Sequence, residues 1–416
     1  MSPTIRSRHI GQRRFPVNSQ SLSAPISWRR MKLKYLVALK SGEAIPGESI
    51  KETGDYPVYG GNGFRGYTNS FTHEGERILI GRQGALCGNI NYAEGKFWAT
   101  EHAIVATPKT NFETAWLGET LRVMNLNQYS QSAAQPGIAV EVVENLVIAV
   151  PPEGEQRRIA DSLHQLSAPI DKLILEKQKL LTLLTEKRRT VIADFLIKGL
   201  NKDTPRRDSD IPWLGEIPAH WKVERAKWLF TERDDRSDSG DEELLTVSHL
   251  TGVTSRAEKD VNMFMAESLE GYKRCEAGDL VINTLWAWMG AMGIARQPGI
   301  VSPAYNVYQP VAQLDPEYID LLVRTPRFVE EITRYSKGVW SSRLRLYPEG
   351  LYEAWLPVPP LDEQRDIVAR VQAETRKLDA LAEATERTVT VLQERRSALI
   401  SAAVTGQLDL GDAHAN

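Results

Sequence analysis

The chain has 416 residues, a quarter of them charged and 42% hydrophobic, which suits a globular protein of two to four domains. No apolar run approaches the roughly 20 residues that span a bilayer, and two cysteines without a CxxC pair, Cys87 and Cys275, exclude a disulfide framework or cysteine zinc cluster and fit a reducing, intracellular setting. The net charge of −3 weighs mildly against a nucleic-acid partner, but it is unevenly spread.

Residues 1–40 hold nine basic residues (Arg6, Arg8, Arg13, Arg14, Arg29, Arg30, Lys32, Lys34, Lys40) and no acid. Residues 1–22 read as a basic disordered tail, with a transit peptide or an arm touching DNA phosphates as the alternatives. Residues 23–150 then read as a globular domain. They open on "SAPISWRRMKLKYLV", with Pro25 three residues ahead of Trp28, and continue as short β-prone runs punctuated by Gly and Asn, such as "YPVYGGNGFRGYTNSF" and "ERILIGRQGALCGNINYA".

"VPPEGEQRRI" (150–159) opens a helix over 151–200, because Pro-Pro is tolerated just ahead of a helix and the acids suit its positive end. Ile159, Leu163, Leu166, Ile170, Leu173, Leu180 and Leu184 recur in steps of three and four, interrupted at Lys177, as a coiled-coil seam. Pro169 is a candidate kink. Residues 201–215, rich in proline and charge, read as a linker.

The pattern then repeats. A second globular domain, 216–358, opens on "EIPAHWKVERAKWLF" with Pro218 ahead of Trp221, and short helices are expected near 315–335. "VPPLDEQRDI" (358–367) matches the first opener at seven of ten positions, 208 residues further on. A second long helix, 359–407, carries Ile367, Val371, Leu378, Leu381, Val389, Leu392 and Leu399, weakened by Ala384, Thr385 and Thr388; a tail, 408–416, follows. Both helices end on a basic cluster and a glycine, Gly199 and Gly406. The chain is a tandem duplication. Two rods of about 65 Å are too long for one domain to enclose, and the nearest partner for each is the other.

No catalytic constellation is visible. The seven histidines (His9, His73, His102, His164, His220, His249, His414) show no HExxH or paired-ligand spacing. "GRQGALCG" (81–88) lacks the Lys-Ser/Thr of a P-loop, there is no Asn-Pro-Pro-aromatic signature of base amino methylation, and Cys87 with His102 reads more simply as a buried cysteine. What the domains offer is loop residues suited to base edges, since Arg forks match guanine and Asn or Gln match adenine. In the first domain these are Asn62, Arg65, Arg82, Gln83, Gln131 and Gln135. In the second they are Asn283, Lys337, Arg343 and Arg345, with Trp286, Trp288 and Trp340 as stacking or wedging groups. For each, the plainer reading is solvated surface or core.

Two divergent globular segments, each followed by a long helix opened by "PPxxEQ", resemble the specificity subunit of type I restriction–modification systems. "DSDIPWLGEIPAHWKVERAKWL" (208–229), "GDLVIN" (278–283) and "GIVSPAYNVY" (299–308) carry the same resemblance, which covers 28–406. It implies an α+β fold: two mixed-sheet target recognition domains, with the helices packed as an antiparallel coiled coil in pseudo-twofold symmetry. It further implies a non-catalytic, cytoplasmic bacterial or archaeal subunit reading a bipartite asymmetric site on double-stranded DNA. Two methyltransferase subunits carrying S-adenosylmethionine would dock on it and modify adenine N6 by base flipping. Restriction subunits using ATP and Mg would join them. The alternatives are an autonomous site-specific DNA-binding protein, a two-domain enzyme with chemistry in the GRQGALCG loop, or a coiled-coil scaffold.

Overall fold

The computed structural model describes residues 24–130, 136–258, 268–338 and 344–408. The basic tail 1–22 therefore lies outside the described residues. The chain forms two compact units, one of Met1–Gln178 with Arg387–Asn416, the other of Lys179–Glu386. Each unit thus takes one globular domain, the start of one long helix and the end of the other.

The first unit contains strands β1 (Arg29–Lys32), β2 (Val37–Ser41), β3 (Tyr56–Gly60), β4 (Gly63–Thr68), β5 (His73–Glu74), β6 (Arg77–Gly81), β7 (Ile90–Ala93), β8 (Lys96–Ala99), β9 (Ala103–Pro108) and β10 (Val147–Val150). One sheet has the order β2-β9-β6-β7 with antiparallel pairing; the other, β4-β3-β8-β5, is mixed, with β3 parallel to β8. Helices α1 (Thr114–Val123) and α2 (Val140–Glu144) complete the domain. Strand β6 is apolar on both faces because both are covered. Ile78 and Ile80 pack with Trp116, Leu117 and Leu121, whereas Leu79 points the other way, to Phe97, Ala99 and Val105.

The second unit repeats this plan. A hairpin of β11 (Arg206–Asp208) and β12 (Glu216–Pro218) leads to β13 (Lys222–Arg225), α4 (Ala226–Leu229) and β14 (Phe230–Arg233). Then come β15 (Leu245–Ser248), β16 (Gly252–Ser255), β17 (Lys273–Cys275), β18 (Leu280–Asn283), β19 (Met292–Ile294), β20 (Gly299–Val301), β21 (Tyr305–Pro310) and β22 (Trp355–Val358). The sheet order β14-β21-β18-β19 matches that of the first unit, and β13 pairs with β22 as β1 pairs with β10. Strand β18 divides its side chains as β6 does: Leu280 and Ile282 face the main core, Val281 a second cluster with Leu245 and Val247.

The expected helices near 315–335 are α5 (Pro316–Val323) and α6 (Pro326–Tyr335). Each has proline at its start and a side-chain cap: Tyr318 N donates to Asp315 Oδ1 (3.0 Å) and Phe328 N to the Thr325 hydroxyl (3.4 Å). Helix α7 (Pro348–Glu353) precedes β22. The segment 201–215 is more than a connector. Trp213 and Leu214, with Ile217 just beyond, are buried in the second unit's core, and this burial fixes the β11–β12 hairpin.

The long helices are α3 (Glu153–Lys198, 46 residues) and α8 (Leu361–Val404, 44 residues). α3 continues as one helix through Pro169, which is exposed. The PPxxEQ opener has a physical reason. Gln156 is 4% exposed and Gln364 fully buried. Gln156 Nε2 donates to Pro151 O (2.9 Å) while its Oε1 accepts from Glu113 N (2.9 Å). Gln364 does the same with Pro359 O (2.9 Å) and Asp315 N (2.8 Å). Each glutamine thus bolts a helix start to its own domain.

The helix ends dock as well, but on the other repeat. Gly199 and Gly406 take the left-handed conformation (φ +72° and +70°) that terminates a helix. A side chain on Gly406 would meet Pro25 and Trp28, and one on Gly199 would meet Pro218 and Trp221. The Pro-Trp pairs are therefore the sockets that receive the helix ends.

Within the first unit, Ile159 and Leu163 share a core with Ile400, Ala403 and Val404, and Arg396 Nε lies 2.6 Å from Asp171 Oδ1. Within the second, Leu196 and Ile197 pack with Ile367, Val368 and Val371, and Arg188 Nε lies 3.0 Å from Asp379 Oδ1. In both units the two helices run antiparallel. The two ion pairs are counterparts, since Asp171 and Asp379, like Arg188 and Arg396, stand 208 residues apart.

The stripe facing inward differs from the expected one at three positions. Leu166 (40% exposed), Leu173 (37%) and Leu381 (48%) face solvent, whereas Ile170 and Leu184 are buried and Leu180, Leu378 and Leu392 partly so. The stripe instead passes through Ser167 and Ile174, and through Thr375 and Thr385. Leucines in both phases made the two registers look alike in sequence.

Replacing Gln364 with alanine leaves Asp315 N and Pro359 O without their buried partner, an expected loss of about 1–3 kcal/mol in chemical denaturation. Reversing one charge, Asp379→Arg, is expected to lower stability slightly, and adding Arg188→Asp to recover it. The coupling should be ~0.2–1 kcal/mol in a double-mutant cycle, as for exposed pairs.

Candidate nucleic-acid interface

In the first unit three loops meet at one end of the sheet: the β3–β4 turn, the segment after β6, and the turn before β9. The backbones approach so closely that a side chain on Gly61 would lie 2.9 Å from His102 O, and one on Gly81 would collide with Gly61 O. Arg82 N donates to His102 O (2.8 Å) and Ile138 N to Arg82 O (2.9 Å), so the segment after α1 returns to the same place.

This brings together Asn62, Arg82 and Gln83. Asn62 and Gln83 are exposed, and Arg82 is partly buried. Asn89 Nδ2 donates to Asn62 Oδ1 (3.4 Å). His102 Nδ1 lies 2.8 Å from Gln83 Oε1, and its Nε2 3.2 Å from Glu101 Oε1. Arg65 is exposed on β4, its aliphatic stem against Gly60. Gln131 and Gln135 lie outside the described residues.

The second unit builds the corresponding place differently. Leu346 N donates to Thr284 O (3.0 Å), the counterpart of the Ile138–Arg82 bond. Lys337 and Arg345 exchange backbone hydrogen bonds at 2.9 Å each. Trp286, 49% exposed, stacks on Trp288 with ring centroids 6.4 Å apart and planes 14° apart. Trp288 Nε1 donates to Leu285 O (3.0 Å), which fixes its plane. A groove of about 530 Å³ runs between Trp286, Trp288, Lys337 and Arg345, with Leu344 and Tyr347 on its walls.

Asn283 corrects the expectation placed on it. It is 7% exposed and its Oδ1 accepts from Leu285 N (3.2 Å), so it shapes the loop and has no edge to offer. Trp340 and Arg343 lie outside the described residues. Sequence reasoning passed over His102 as a binding group, and also Asn89, Leu344 and Tyr347. The signal that finds them is the repeat itself, once the strands before each loop are aligned.

The two places differ in chemistry. The first presents amides and an imidazole, groups that pair with base edges. The second presents aromatic planes beside two cations, suited to stacking or wedging and to phosphate. A Cys87–His102 pair is not assembled: Cys87 is buried, with Asn127 Nδ2 donating to its carbonyl (2.9 Å), while the His102 ring faces Gln83 and Glu101. Among the described residues no group of His, Cys, Asp and Glu could hold a metal ion, and no helix is long and apolar enough to cross a membrane.

Residues 25–183 match the type I restriction modification DNA specificity domain. The chain is 41% identical over 139 residues to the EcoprrI specificity subunit of Escherichia coli, a match spanning 32% of this chain and 35% of that one. It is 19% identical over 407 residues to the EcoDI specificity subunit of the same organism, spanning 92% of this chain and 89% of that one. A solved chain from a study of complex assembly and conformational transition of the type I R-M system shares the fold, with a TM-score of 0.64 at 16% identity, over 92% of this chain and 99% of that one. Residues 25–183 thus match a type I restriction modification DNA specificity domain, and over most of its length the chain is similar to type I restriction enzyme specificity subunits.

Proposed function

We propose that this chain reads a bipartite, asymmetric site on double-stranded DNA, one half with each unit, and has no catalysis of its own. The observation that carries the reading is the pair of loop clusters. They occupy the same place on two four-stranded sheets of matching strand order, and they present different chemistry. A symmetric dimer of one reader would read the same half-site twice, whereas duplication within one chain, followed by divergence of the loops, gives two unlike readers on like frames.

The long helices serve as the spacer between half-sites and as the frame on which two methyltransferase subunits dock. Exposed apolar residues recur at counterpart positions on them: Leu173 and Leu381, and Leu183 (59%) and Val391 (61%). A repeated surface suits two copies of one partner. S-adenosylmethionine belongs to those partners, and ATP and Mg to restriction subunits that join the complex in the cytoplasm of the host. Much of the sequence-independent grip on DNA comes from the partners, which accounts for the modest net charge of this chain.

Inserting four residues, one helical turn, into the middle of both long helices adds ~6 Å to the spacer, about two base-pair rises. Mapping of methylated adenine in the host is expected to show unspecified bases gained between two unchanged half-sites. An altered half-site at unchanged spacing counts against the reading. Arg345→Ala is expected to relax base preference in one half-site only, by ~1–3 kcal/mol where the fork grips a guanine. An equal loss across all sequences would make Arg345 a phosphate contact instead.

A further inference from the structure

We propose that His102 is a positioning residue of the first unit's reading loop: it holds one end of the Gln83 amide, so that Gln83 meets a base edge with its NH2 group alone. The inference rests on the DNA reading of this loop and specifies how that loop discriminates.

An unconstrained glutamine reads adenine with both ends of its amide, accepting from N6 and donating to N7. Gln83 is not unconstrained. Its Oε1 lies 2.8 Å from His102 Nδ1. The other ring nitrogen, Nε2, lies 3.2 Å from Glu101 Oε1, so in the arrangement proposed both nitrogens carry hydrogen, Nδ1 donating to Gln83 and Nε2 to Glu101, whose Oε2 is buried. The backbones beneath are fixed as well. His102 O accepts from Arg82 N (2.8 Å), Gln83 is bridged to Gly137, and the Gly61 backbone packs close against the His102 carbonyl.

Held by His102, the amide cannot turn to lay both of its ends along one adenine edge: its NH2 stays a free donor, while Oε1 keeps one lone pair and a fixed direction. Gln83 is matched to the acceptors of the major groove, O6 and N7 of guanine or O4 of thymine, and adenine loses the paired contact that would single it out. Among the described residues of the second unit no such device recurs. The carbonyl of Ala304 lies 2.8 Å from the Thr284 hydroxyl that donates to it, so Ala304 and Leu285 occupy the places of His102 and Gln83. Any effect of His102 therefore belongs to one half-site.

The test selects DNA from a library randomised over both half-sites, using the full chain purified from its host with the subunits that accompany it. His102→Ala frees the amide, and preference at one base pair of one half-site is expected to move toward adenine by about tenfold. Gln83→Ala is expected to abolish preference at that same base pair. His102→Asn, whose Nδ2 can still donate to Gln83 Oε1, is expected to keep the wild-type preference. Gln83→Glu presents an oxygen in place of NH2 and is expected to turn the same base pair toward cytosine or adenine, which keeps the test decisive if His102→Ala fails to fold. The assignment is overturned if His102→Ala leaves every position unchanged, changes a base pair that Gln83→Ala does not, or weakens all sequences equally. A wild-type chain that selects no sequence overturns the DNA reading itself; a selective wild type with unresponsive variants overturns only the role of His102.

Discussion

Each long helix is fixed at both ends to a globular core, and on that double anchorage the rest of the molecule depends. A helix of more than 40 residues with a single apolar stripe has no intrinsic preference for where it starts or how it is rolled. The buried glutamines remove that freedom at the start, because each must meet a particular backbone N–H and carbonyl at once. The terminal glycines remove it at the finish, because only a residue without Cβ lets the turn press against the waiting proline and tryptophan. The ion pairs between the rods then add orientation more than stability.

The repeat is strict where it builds the frame and loose where it meets solvent. Sheet order, the division of the central strand between two cores, the glutamine bolts and the ion pairs all recur. The loops at one end of each sheet share only their backbone ties: the bond into Arg82 O has its counterpart in the bond into Thr284 O, while the side chains around them differ in kind. Backbone ties hold a loop in place whatever its side chains are, so residues such as Gln83 and Trp286 are free to diverge without loss of the fold.

Much of the frame was legible in the letters. The duplication, the helix starts and the short helices α5 and α6 follow from proline placement, capping residues and apolar spacing. The phase of the coiled-coil stripe was not, because Leu166 and Leu173 offer a second apolar line beside the true one. Nor was the folding of 201–215, where two apolar residues among many charges outweigh the composition of a linker. Of the candidate reading residues, Asn62, Arg82 and Gln83 gather in one place and Trp286, Trp288, Lys337 and Arg345 in another. Asn283 looked alike in sequence but is consumed by its own turn. Which polar loop residue faces inward depends on backbone hydrogen bonds between segments far apart in the chain, such as Arg82 with His102 and Leu346 with Thr284, and no local pattern encodes these.

The contact of Gly406 with Pro25 and Trp28 has a topological consequence. The last turn of the second helix rests on Pro25 and Trp28 at the start of the first domain, so the order of elements is cyclic although the chain is not. A variant opened within 199–208 and joined from beyond 406 to before 25 would contain the same contacts in a different covalent order. Either repeat could therefore come first without changing which of these contacts form.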